Sequence, residues 1–122
     1  MLNAILGNVS KVENNLLNQE FSWLLCKDEQ FELGYILIRD MFIFTNKRLV
    51  LVDKQGLTSK KVEILSIPYR EITKFSTENA GTFDLDSDLK IWVKGESMPI
   101  SKSFKKSINI QEVYQFLSEM IL

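Results

Sequence analysis

Residues 41–56, MFIFTNKRLVLVDKQG, read as two β-strands folded about the turn Thr45-Asn46-Lys47-Arg48. Phe42 and Phe44 share one face of the first strand and Met41 and Ile43 the other. Leu49 and Leu51 alternate with Val50 and Val52 in the second. A half-exposed antiparallel strand alternates apolar with polar residues, so a hairpin that is apolar on both faces must be covered on both. One cover is the domain's own core. The candidates for the other are the helical segment Val12–Leu25 and a neighbouring subunit.

The flanking sequence extends the pattern. On the N-terminal side, Phe31, Leu33, Tyr35 and Leu37 alternate with Ile36 and Ile38 as a strand. Further upstream, Ser10 with Glu13 spells a capping box, and Val12, Leu16, Leu17, Phe21, Leu24 and Leu25 recur at helical spacing with Trp23 at the edge of the stripe. Downstream, a strand from Lys60 to Ile67 ends at Pro68, and a second segment runs from Tyr69 to Thr77. Asn79-Ala80-Gly81 is a turn; Phe83–Leu85, Leu89–Lys94 and Met98–Phe104 follow as strands, with Gly95 turning the chain before the last. The chain closes on a helix with Asn109 as N-cap, Glu112 at N3, an Ile108/Val113 staple and a stripe of Ile110, Val113, Tyr114, Leu117, Met120 and Ile121. Seven or eight short strands in succession mean an antiparallel sandwich or barrel.

Composition narrows the function classes. A chain of 122 residues, 45% hydrophobic and 25% charged, is one globular domain. Fifteen basic against sixteen acidic side chains leave no excess for nucleic acid. The lone Cys26 allows no intrachain disulfide and reads as a small buried hydrophobe. The opening MLNAILGNVS has neither the charge nor the apolar run of a signal peptide or membrane span, which places the protein in the cytoplasm.

The run from Thr45 to Gly95, with its TNKR turn, Ser66-Ile67-Pro68-Tyr69, the stretch Gly81–Asp86 and Leu89-Lys90-Ile91-Trp92, resembles the bacterial pleckstrin-homology (PH) domain family. The likeness extends from about Glu20 to Leu122. It departs from the usual family pattern at Asn79 and Ser59. It implies a mainly β fold with α: a PH-like, partly open barrel of two near-orthogonal antiparallel sheets with a C-terminal capping helix. Residues 1–28 then form an N-terminal helical segment and 29–122 the PH-like domain, as one structural unit. The resemblance also implies ring-like homo-oligomers, with a pentamer as one stoichiometry.

Candidate sites follow from the residues. Asp84, Asp86 and Asp88 have the spacing of a calcium loop, but Leu89 stands where such a loop needs glycine and Gly95 where it needs glutamate, so no metal is expected. Lys47, Arg48, Lys54, Lys60 and Lys61 would form an anionic-lipid site if they gathered at one end of the barrel. Asp53 and Glu63 dilute that charge, so membrane lipid is the alternative reading. Trp92, set between Lys90 and Lys94, is a candidate interface anchor with Phe42, Phe83 and Trp23. There is no histidine and no phosphate-loop or dinucleotide fingerprint. The expectation is therefore a non-catalytic domain without cofactor, self-associating and presenting a surface to a protein partner.

Overall fold

In the computed structural model, residues 11–37, 40–54, 61–79 and 86–122 are described. The chain divides into two compact units, Met1–Ile67 and Pro68–Leu122. Ser10, Phe83, Asp84, Lys60, Ser59 and the turns at Gly56 and Gly81 lie outside the described residues.

The first unit holds helix α1 (Asn14–Phe21) and strands β1 (Phe31–Ile36), β2 (Met41–Thr45), β3 (Arg48–Lys54) and β4 (Val62–Pro68) in the sheet order β1-β2-β3-β4. The expected hairpin is present, with Met41 opposite Val52 and Phe44 opposite Leu49. Both of its faces are buried. The cover on the Met41/Ile43 face is the chain's own N-terminal segment: Val12, Leu17 and Phe21 cluster with Met41, Ile43, Val50 and Val52. α1 comes so close to β1 that a Cβ added at Gly34 would stand 2.7 Å from Leu17 Cδ1.

Two expectations fail here for tertiary reasons. α1 starts later than the capping box implied: Glu13 is itself the N-cap and makes no side-chain cap hydrogen bond. The residues before it are held extended on β1, where Lys11 bridges Tyr35 and the Val12 N–H donates to Gly34 O at 2.8 Å. In β1, a register shift between Phe31 and Leu33 breaks the strict alternation. The extra residue turns Phe31 to the same core as Ile36, beneath α1.

The second unit contains β5 (Ile72–Asn79), β6 (Ser87–Val93), β7 (Ile100–Phe104) and helix α2 (Ile110–Ile121), with sheet order β5-β6-β7. Asn79 pairs with Ser87 and so belongs to β5 rather than to a turn. Gly95 turns the chain with φ +84°, a conformation that favours glycine. The α2 cap is the expected one, with Asn109 Oδ1 accepting from the Gln111 N–H at 3.1 Å. Ile108, Val113 and Leu117 are buried, as are Leu89, Ile91 and Phe104 of the sheet. Two antiparallel sheets of four and three strands, with helices near both termini, make a PH-like fold, and among the described residues no strand ladder joins one sheet to the other.

Candidate interaction surfaces

The TNKR turn is densely hydrogen-bonded, and each of its residues makes a side-chain hydrogen bond to the chain between α1 and β1. Thr45 Oγ1 accepts from the N–H groups of Lys47 and Arg48, both at 3.0 Å, and donates to Glu29 Oε2 at 2.6 Å. Asn46 accepts from the Gln30 N–H at 2.8 Å and donates to Asp28 O at 2.9 Å. Asp28 presents that carbonyl from a left-handed conformation, φ 62°, which Asp tolerates better than most residues. Lys47 Nζ donates to Lys27 O at 2.8 Å.

Arg48 completes the clasp. Its Nε and Nη2 grip Glu29 at 2.8 and 2.7 Å, while Nη2 also donates to Leu24 O and Nη1 to Ser66 Oγ. The Glu29 side chain has no exposure at all. Burial acts to raise its pKa, but the hydrogen bonds from Arg48, Thr45 and Cys26 outweigh that and hold the carboxyl at about 2, against its ordinary 4.5. This pair is a structural lock tying residues 24–30 to the hairpin. Glu29 escaped sequence reading, because nothing local marks one acid as the partner of an arginine 19 residues away.

Of the basic residues, Lys47 and Arg48 stand at one end of β3 and Lys54 at the other, with Lys61 following in the chain, while Lys60 lies outside the described residues. Arg48 opens β3 and Lys54 ends it, so six residues of extended chain, about 20 Å, separate the two. Lys61 precedes β4, whose far end carries the Ser66 that meets Arg48. Cys26, expected in the core, is exposed; its main-chain N–H donates to the Glu29 carboxylate at 3.0 Å, its carbonyl accepts from the Glu29 N–H at 3.1 Å, and its thiol reaches Lys27 O at 3.8 Å.

The aromatic candidates separate in the same way. Phe42 has no exposure and packs edge to face on Phe44 at 5.1 Å, so its ring reaches no surface of the chain. Trp23 is 68% exposed, with its Nε1 donating to Glu20 O. Trp92 is half-buried under the Lys74 ammonium, 4.8 Å from the ring centroid. Of the acidic series, Asp86 accepts from the Lys106 N–H and Asp88 from Ser103 Oγ, which are structural duties. Among the described residues no cluster suited to a metal ion occurs, and no helix is long and apolar enough to cross a membrane.

Sequence reading also missed an open apolar strand. On β4, an edge of its sheet, five of seven residues are exposed, including Val62, Ile64 and Leu65. The run VEILSI was legible as a strand, but its place at an edge was not.

The whole chain has close relatives. It is 44% identical over 122 residues to the uncharacterized protein YjqA of Bacillus subtilis, covering 99% of this chain and 98% of that one. A protein with a pleckstrin-homology domain from Shewanella loihica superimposes with a TM-score of 0.85 at 45% identity, over 95% of this chain and 99% of the other. A pleckstrin-homology domain from Shewanella amazonensis does so with a TM-score of 0.80 at 42% identity, over 99% and 98%. With the bacterial PH domain profile matching residues 1–121, the chain belongs to the bacterial PH domain family.

Proposed function

We propose that the protein is a non-catalytic binding module whose copies associate into a ring through the open edge of β4, and that the ring presents a repeated surface to a partner protein. The observation that carries this reading is β4 itself. Val62, Ile64 and Leu65 are 46, 36 and 40% exposed on an edge strand, and soluble monomers usually blunt such an edge with charge or cover it. A ring requires two different patches to meet. Trp23, 68% exposed, offers an aromatic anchor for the second patch, and Trp92 a less open one. The lack of histidine supports a module that binds rather than catalyses.

Light scattering on the full chain tests the assembly. The expected mass is a multiple of the 14.2 kDa protomer, and Ile64→Lys with Leu65→Lys should reduce it to one protomer. A wild-type monomer at tens of micromolar would overturn the reading. An anionic-lipid site has less support, because Arg48 spends its guanidinium on Glu29, Leu24 and Ser66, and Lys47 turns one of its three N–H groups to Lys27 O.

A further inference from the structure

β5 is also an edge strand, but unlike β4 it has a helix beside it. Its ladder is to β6, so on the other side the main-chain groups of Phe75–Glu78 have no strand partner among the described residues. Phe75 meets Tyr114 of α2 edge to face at 5.1 Å. Between strand and helix runs a groove of about 480 Å³, walled by Phe75, Ser76 and Thr77 on one side and Gln111, Tyr114 and Gln115 on the other. No charged side chain lines it. The side chains of Ser76, Thr77, Gln111 and Gln115 make no hydrogen bond among the described residues, so four polar groups in the walls are uncommitted.

Charge enters at one end. Glu78 stands directly opposite Asp88 across the β5–β6 ladder, and like charges so placed repel. At the other end of the same face the Lys74 ammonium rests on Trp92.

These features specify an occupant. Unpaired main-chain groups are matched by an extended chain, an uncharged groove with two aromatic walls by an apolar side chain, and an acidic pair by a cation. We propose that the β5 edge and α2 receive an extended segment of a partner protein, added as a fourth strand to the β5-β6-β7 sheet. The segment sets an aromatic or aliphatic side chain against Phe75 and Tyr114, and a lysine or arginine beside Glu78. Phe75 and Thr77 face the opposite side of the strand from Glu78, so the two anchoring residues stand an odd number of positions apart in the segment. This deepens the partner half of the proposed function; it rests on the protein being a binding module and not on assembly through β4.

Panning a phage-displayed random dodecapeptide library against the full chain tests the inference. The selected peptides should share an apolar and a basic residue at odd spacing, and the best of them, synthesised with blocked ends, should protect amides of β5 between Phe75 and Glu78 from hydrogen exchange. Tyr114→Glu and, separately, Gln115→Arg should weaken its binding by about ten-fold or more. Oligomer mass should not move in either variant; Gln115 is exposed, so its variant should also keep its thermal midpoint, whereas Tyr114→Glu gives up the ring contact with Phe75 and should lower the midpoint slightly. Panning against Glu78→Arg, whose guanidinium would pair with Asp88 across the ladder, should abolish the basic preference. Selection without this pattern, protection outside β5, or unchanged affinity in both variants overturns the proposal. So does a changed oligomer mass in Tyr114→Glu, since the groove would then be a contact between copies. Failure of the β4 assembly would leave peptide binding intact, which keeps the two readings distinguishable.

Discussion

β2 and β4 belong to one four-stranded sheet and are written in the same apolar alphabet, MFIFT and VEILSIP. All five residues of β2 are buried, whereas five of the seven in β4 are exposed. β2 lies between two strands and beneath α1, with its turn clamped to residues 24–30; β4 sits at the edge. An apolar strand is thus sealed or open according to its neighbours in the layer rather than its composition, and the open one is where a second chain can act.

The sharpest way to break the contrast is to unseal the hairpin from within. Arg48→Met leaves the Glu29 carboxylate buried without its cation, and the expected cost is about 3 to 5 kcal/mol in urea unfolding. Adding Glu29→Gln should recover part of it, because no bare charge remains. Full additivity of the two losses would show that the pair is not coupled.

Next in size is the acid response of the same pair. The folded pKa of Glu29, about 2, lies below its ordinary 4.5. Its contribution is therefore fully present above 4.5 and lost as pH falls through 4.5 toward 2. Over that window the wild type should lose on the order of 3 kcal/mol through this group. In Arg48→Met the sign reverses: protonation relieves the stranded charge, so acidification should recover stability. Parallel pH profiles of wild type and variant would refute the assignment.

A smaller effect tests the seal on the α1 side. Gly34→Ala drives a methyl to 2.7 Å from a Leu17 side chain that has no exposure and little room to yield. The loss should be about 1 to 3 kcal/mol, read as a lowered midpoint at constant m-value. The smallest effect belongs to the open strand. Ile64→Lys should change protomer stability by no more than about 0.5 kcal/mol, measured under conditions where the protein is monomeric. A large loss there would mean that β4 is covered within the chain and that its openness is illusory.

The residues themselves determined the hairpin, the order of the strands, the α2 cap at Asn109 and the turn at Gly95. Each is written in spacings of two to four residues, and the PH-like fold follows from their succession together with the TNKR and SIPY signatures. What only the tertiary structure decided involves partners distant in sequence. The Phe31/Leu33 register shift depends on pairing with β2, and the start of α1 at Asn14 depends on Lys11 and Val12 being held along β1. Arg48 read as a free surface cation until Glu29 stood beside it. Cys26 read as core, yet the chain around it serves the Glu29 clasp and leaves the thiol outside. The physical reason is common to all four: local periodicity shows which side chains avoid water, but which of them succeed, and which charges are spent, depends on neighbours that the fold brings from 11 to 24 residues away.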